Sequence, residues 1–259
     1  MELGLSGRWA IVCASSRGLG RACALALAQE GVQLVINGLT EAHLSSAEDE
    51  IHAATGQRPR TVLADVTTDA GRAALLAACP EPDILVNNNA GPAPGTLEDW
   101  DHATWMAALE SNMLAGTLLI RAVLPGMRAR GFGRIINITS AMVKSPQAAM
   151  GLSAAARAGL TAFSKAVSRD VARDNVTINS LMPEKFDTDR IRFMTQRLAH
   201  AKSITDSEAR ERIIREIPAR RLGRPEEFGA ACAFLCSVHA GYITGQSLQM
   251  DGGAYNGLF

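Results

Sequence analysis

Tyrosine is scarce in this chain: of 259 residues, only Tyr242 and Tyr255 carry a phenol. Chemistry that needs a phenolic acid must therefore draw on one of two side chains near the C-terminal end. An excess of charge is missing too. Lys plus Arg and Asp plus Glu both total 26, so the formal net charge is zero, and no basic field exists to hold nucleic acid or an anionic membrane. No stretch reaches the roughly 18 to 20 uninterrupted apolar residues of a membrane helix. The start, "MELGLSGRWAIVCASS", lacks a basic segment followed by a long apolar one. No signal peptide and no membrane span are expected, and the expected location is cytoplasmic. The five cysteines (Cys13, Cys23, Cys79, Cys232, Cys236) show no paired spacing. They read as small buried hydrophobes with reduced thiols, and no metal site is expected.

What the chain has is a regular alternation. Apolar runs suited to buried parallel strands occur at 8–14, 32–37, 60–65, 83–88, 133–140, 175–182 and 247–253. Helical patterns lie between them, opening with 18–31 and continuing near 40–54, 68–79, 103–129, 151–173 and 225–237. Strand, helix, strand with short links implies right-handed crossovers. The expected fold is α/β, a Rossmann-type doubly wound parallel sheet of about seven strands with helices on both faces. No linker breaks the pattern, so 1–259 reads as a single domain. The segment 184–218 is charged and poor in strand signal, and reads as a helical insertion, either a lid or a plain surface excursion.

After the first strand comes "CASSRGLG". Gly18 and Gly20 open a helix, whose N-terminal N–H groups and dipole suit a bound pyrophosphate. A tight strand-to-helix turn with no ligand has the same look. Over nearly its whole length the chain resembles the short-chain dehydrogenase/reductases, most closely their 3-oxoacyl-[acyl-carrier-protein] reductase-like branch. Ala14, Ser15, Ser16, Arg17, Gly18, Leu19 and Gly20 match that family's cofactor turn, TGxxxGxG, with Cys13 and Ala14 in place of the Thr and the first Gly. Ala disfavours positive φ and close backbone approach. Asn88, Asn89, Ala90 and Gly91 resemble the NNAG segment, with Asn87 standing as an additional asparagine. Asp65 and Val66 resemble the pair whose carboxylate receives the adenine amino group. "GRPEE" at 223–227 and "DGG" at 251–253 match C-terminal signatures.

NAD-selective sites usually place a carboxylate after the second strand. Here Asn37, Gly38, Leu39 and Thr40 come first and Glu41 only afterwards, while Arg17 offers a fork of donors for a 2′-phosphate. NADP(H) is favoured over NAD(H). As an exposed arginine at a helix start, Arg17 also has a plain structural reading.

In this family a Ser polarises the carbonyl, a Tyr donates the proton, a Lys four residues later tunes the Tyr and holds ribose, and an Asn organises a relay water. The resemblance assigns the Ser to Ser140 and the Asn to Asn112. It brings the Tyr position to Ser153 and the Lys position to Arg157. Spacing by four keeps both on one helical face, but the reactive groups differ. A serine hydroxyl is a far weaker acid than a phenol, and a guanidinium is not an ammonium. Lys144, four residues after Ser140, is a candidate substitute acid; a solvated loop lysine is the competing reading. Tyr255 could meet the cleft of a neighbouring subunit. Pro183 and Thr188 match the family's PG-x-x-x-T, with Glu184 replacing its Gly.

The expected function is an NAD(P)(H)-dependent oxidoreductase of carbonyl or alcohol substrates, 3-oxoacyl reductase-like, with a non-standard proton donor. The alternative is a catalytically silent nucleotide-binding sensor or scaffold subunit. The expected partner is a small-molecule carbonyl or acyl-thioester-like substrate, and the resemblance implies a homotetramer. Arg190, Arg192 and Arg197 fit either an acidic carrier or a solvated helix face.

Overall fold

A computed structural model describes residues 1–258. Its seven strands are β1 (Trp9–Val12), β2 (Gln33–Gly38), β3 (Arg60–Leu63), β4 (Ile84–Asn87), β5 (Gly133–Ile138), β6 (Val176–Pro183) and β7 (Ser247–Met250). They form one sheet in the order β3-β2-β1-β4-β5-β6-β7, with every pairing parallel. The doubly wound Rossmann-type sheet expected from the sequence is the one observed.

The nine α-helices among the described residues are α1 (Gly18–Gln29), α2 (Glu41–Thr55), α3 (Asp69–Ala78), α4 (His102–Leu109), α5 (Ala115–Arg130), α6 (Gly151–Val171), α7 (Asp189–Lys202), α8 (Asp206–Arg215) and α9 (Pro225–Cys236). The period-2 alternation of a strand explains how they divide. In β1, Ala10 and Val12 point to a core shared with Cys23 and Leu27 of α1, Leu44 of α2 and Phe228 of α9. Ile11 points to the opposite core, with Leu75 of α3, Leu119 and Val123 of α5 and Leu160 of α6. Close contact of α1 with α9 requires Gly229, because a Cβ there would press on the backbone of Ala22.

The pattern at 103–129 resolves into α4 and α5 joined by a π-helical turn, Glu110–Leu114. By length and mean hydropathy (1.3), the run His102–Arg130 is apolar enough to cross a membrane. A criterion of uninterrupted apolar residues passes over it because polar residues break the run. In this fold its residues Ala115, Leu119, Ile120, Val123 and Met127 are packed into the core. Between β6 and α9 the chain forms α7 and α8, joined by a small cluster of Ile191, Ile213, Ile217 and Leu222.

Candidate functional site

In the strand order β3-β2-β1-β4, the connections wind in opposite directions on either side of the β1–β4 junction. That is where open α/β sheets place ligands, beyond the carboxyl ends of the strands. The turn after β1 lies there. Ala14 has φ 44°, a left-handed conformation that favours glycine. The turn thus keeps its shape despite the substitution. Ala14 N–H donates to Asn37 Oδ1 at 2.8 Å, and Asn88 Nδ2 donates to the Ala14 carbonyl at 3.1 Å. A Cβ on Gly20 would come within 2.7 Å of Asn88 Nδ2, so glycine is required for this packing. Gly18, at φ +59°, has open space where its Cβ would stand. Open space at the N-terminus of α1 suits a dinucleotide pyrophosphate.

Asn37 lies near the end of β2. It is buried in β2, and its Nδ2 donates to the Ala64 carbonyl at 2.6 Å. Its carboxamide therefore braces the turn from below instead of facing a ligand. Ser16 lies against Gly38, where a Cβ would meet its Oγ at 2.7 Å. Leu19 packs at the edge of the core, and exposed Arg17 pairs with Asp189 of α7 at 3.6 Å. Asp65 is exposed after β3, its Oδ1 accepting from Thr67 N–H and Oγ, while Val66 is buried.

Beyond β4, Asn89 Oδ1 accepts from Ala90 N–H at 2.8 Å, fixing the turn that leads to Gly91. A Cβ on Gly91 would lie 3.5 Å from Ser153 Oγ, 3.6 Å from Arg157 Nη2 and 4.0 Å from Asn112 Oδ1. Three polar side chains from two helical segments therefore converge on one glycine. Asn112 is carried there by the π-helical turn, and its Nδ2 donates to the Ala90 carbonyl at 3.3 Å. The first residue of α6 is glycine because the Trp100 ring would stand 2.8 Å from a Cβ there.

Ser153 and Arg157 are both buried. Arg157 Nε donates to Ser153 Oγ at 3.2 Å, Nη1 to the Ile138 carbonyl at 2.6 Å, and Nη2 to the Asn89 carbonyl at 3.2 Å. The guanidinium thus ties the ends of β4 and β5 to α6. Burial, and then the charge of Arg190, pull its pKa down to about 10. Ser140, just past β5, accepts from Met142 N–H at 3.2 Å and starts a 3-10 turn that packs on Ala154 of α6. Lys144 is exposed at the end of that turn, its Nζ 5.8 Å from the ring centre of Tyr255 in the same chain. The Tyr255 ring thus lies beside the Ser140 loop of its own chain.

Pro183 ends β6, and Thr188 precedes α7, with its Oγ donating to the Phe186 carbonyl at 3.4 Å. Half-buried Glu184 has its pKa raised by burial, against the opposing charge of Lys185 at 3.7 Å.

A polar chain behind the site has no counterpart in the sequence reading. Asn87 Nδ2 donates to Asn137 Oδ1, and Asn137 Nδ2 to Ser164 Oγ, each at 2.9 Å. The Oδ1 atoms of Asn87 and Asn112 are buried and accept no bond from a described protein donor. Both residues border a cavity of about 20 Å3, enough for one water. The repeated asparagines at 87–89 were the available sequence signal. Among the described residues, no group of His, Cys, Asp or Glu is arranged to hold a metal.

Residues 13–255 match the family model described as enoyl-(acyl carrier protein) reductase. The chain is 34% identical to the NADPH-dependent reductase BacG of Bacillus subtilis, covering 98% of this chain and 100% of that one. L-Sorbose reductase from Gluconobacter frateurii, solved with NADPH and L-sorbose, superposes with a TM-score of 0.94 at 30% identity, over 100% of both chains. The NADP-bound 3-oxoacyl (acyl-carrier-protein) reductase of Agrobacterium tumefaciens gives 0.88 at 30% identity, covering 97% and 96%.

Proposed function

This chain belongs to the short-chain dehydrogenase/reductase family, and from that membership we propose that it is an NADP(H)-dependent oxidoreductase of carbonyl or alcohol substrates, 3-oxoacyl reductase-like in type. The observation that carries the reading is the convergence of Asn112, Ser153 and Arg157 on Gly91, beside the cofactor-type turn of Ala14–Gly20. The NADPH and NADP complexes of the relatives support NADP(H), as does Leu39, which is 70% exposed where an NAD site usually carries an acid.

In this reading Ala14, Ser16, Gly18, Leu19 and Gly20 form the pyrophosphate cradle, Arg17 meets the 2′-phosphate, and Asn37 braces the cradle. Asp65 and Val66 flank the adenine, and Asn89, Ala90, Gly91, Pro183 and Thr188 border the nicotinamide end. The cofactor, when bound, supplies or accepts a hydride. Ser140 donates a hydrogen bond to the substrate oxygen. Asn112 orients a water in the cavity it borders. Arg157 holds the ends of β4 and β5 in register, with Ser153 as one of its acceptors, and neither is assigned the proton. The proton comes from the Lys144 ammonium, which the Tyr255 ring positions.

The helices α7 and α8 act as a lid in the same proposal. Self-association as a homotetramer is assigned to the outer face of α5 and α6, where Ile120, Leu124, Pro125 and Phe163 line an apolar groove. Five free, buried cysteines suit the reducing cytoplasm proposed as its location.

The test is an NADPH and NADH titration followed by turnover on a carbonyl panel. K144M is expected to lower kcat about 100-fold while leaving NADPH affinity intact. Y255F separates ring from hydroxyl: retained turnover keeps the proton on Lys144, and lost turnover moves it to the phenol. Cofactor-dependent stabilisation with no turnover on any substrate would replace the enzyme reading with a nucleotide-binding sensor or scaffold.

A further inference from the structure

Arg157 of α6 and Arg190 and Arg197 of α7 make no ion pair among the described residues. Arg157 and Arg190 grip the two ends of one short turn: Arg157 Nη2 donates to the Asn89 carbonyl at 3.2 Å and Arg190 Nη2 to the Pro92 carbonyl at 3.3 Å. Between those carbonyls lies Gly91, the glycine on which Asn112, Ser153 and Arg157 converge. Arg197 follows Arg190 two helical turns later on α7. The guanidiniums of Arg190 and Arg197 each lie 5.9 Å from the ring centre of Phe193, which is 44% exposed.

Neighbouring arginines show that this lack of acid is local. Arg17 and Arg192 both pair with Asp189, and Arg210 pairs with Asp187 at 2.8 Å. Among the described residues, Arg157, Arg190 and Arg197 make no ion pair, in a chain whose acids and bases are equal in number. The three cations also act on one another. After burial, the charge of Arg190 is what depresses Arg157, and the charge of Arg197 is what depresses Arg190. Like charges that depress one another in this way gain from an anion placed among them. A guanidinium suits a carboxylate or phosphate because its donors form a planar fork.

We propose that Arg190 and Arg197, with Arg157 behind them, bind an anionic group on the substrate, so that the protein selects carbonyl compounds bearing a carboxylate or phosphate. The cofactor's own phosphates are the other source of such an oxyanion. Their turn, however, has its own cation in Arg17, while the Arg157–Arg190 pair brackets Gly91 at the reacting end. Phe193 offers an apolar face beside the anion site. The inference rests on the reductase reading but is tested separately from it.

The experiment compares wild type, R190Q and R190Q/R197Q, each saturated with NADPH, against a 2-oxo acid and its methyl ester. Thermal stabilisation of the holoprotein by each compound is read first, then kcat/KM, with NADPH affinity measured by fluorescence. The wild type is expected to prefer the acid over the ester by at least tenfold. The double variant should lower that preference tenfold or more, chiefly through KM, with R190Q intermediate. Equal responses to acid and ester in the wild type overturn the proposal. A loss confined to NADPH affinity assigns the row to cofactor phosphate and overturns it equally. If no carbonyl turns over but the acid still stabilises the holoprotein through Arg190 and Arg197, the anion site stands and the reductase reading falls.

Discussion

Arg157 Nη1 donates to the main-chain carbonyl of Ile138 at 2.6 Å, so the guanidinium of α6 is a clamp on the last residue of β5. The same group reaches the Asn89 carbonyl beyond β4. A cation at this position is thereby committed to holding two strand ends, and its companion Ser153 to accepting from it.

Removing the clamp should cost stability before it touches chemistry. R157M leaves the Ile138 and Asn89 carbonyls without their donor, and burying unpaired polar groups costs about 1–3 kcal/mol each. A loss of about 2–4 kcal/mol in urea unfolding is expected on that ground. A loss below 0.5 kcal/mol would show that the clamp is idle.

Ala14 at φ 44° carries a strain that glycine would not. The left-handed conformation costs an L-residue about 1–2 kcal/mol, so A14G should stabilise the protein by about 1 kcal/mol, offset in part by unfolded-state entropy. It should also tighten NADPH binding. An unchanged Tm together with weaker NADPH binding would contradict both.

Gly18 and Gly20 should respond differently to alanine. At Gly20 the added methyl runs into Asn88 Nδ2 and the turn's backbone, whereas at Gly18 it enters open space and meets only the strain of φ +59°. G20A is expected to abolish cofactor binding and lower stability by about 3 kcal/mol. G18A should cost about 1 kcal/mol. Calorimetric unfolding with and without NADPH distinguishes them, and equal effects would contradict the packing argument.

Glu184 predicts a pH effect of definite sign. Its carboxyl is raised above the usual carboxylate value by burial, so the folded state binds its proton more tightly than the unfolded state. The contribution is full below the unfolded value, near 4.5, and is lost as pH rises through the raised folded value. E184Q should therefore flatten the decline of Tm across that interval relative to wild type. Parallel Tm curves would remove Glu184 from the balance.

The backbone architecture was legible because strand alternation and turn glycines are local signals. Apolar runs at 83–88 and 133–140 correspond to β4 and β5, shortened where their polar ends turn into the site. Ser153 and Arg157 were legible as one helical face for the same reason. What escaped depends on contacts across the sequence. Asn37 looks like a ligand contact by position, yet its carboxamide turns inward to Ala14 and Ala64. Lys144 and Tyr255 are remote in the chain, and only the placement of the segment after β7 brings them together. The chain from Asn87 through Asn137 to Ser164 joins three elements, so no single stretch announces it.

The pairing of Arg17 with Asp189 joins the turn after β1 to the start of α7 across open solvent, both side chains being more than half exposed. Exposed pairs contribute only about 0–1 kcal/mol. A phosphate taking the place proposed for it at Arg17 would therefore displace only a weak bond. Asp189 is not stranded by the exchange, since Arg192 and the positive end of α7 remain beside it. If Arg17 meets the 2′-phosphate as proposed, the contact becomes a handover point: ionic strength and nucleotide would compete for the same arginine, and the pairing of the turn with α7 would loosen at little cost whenever either of them wins.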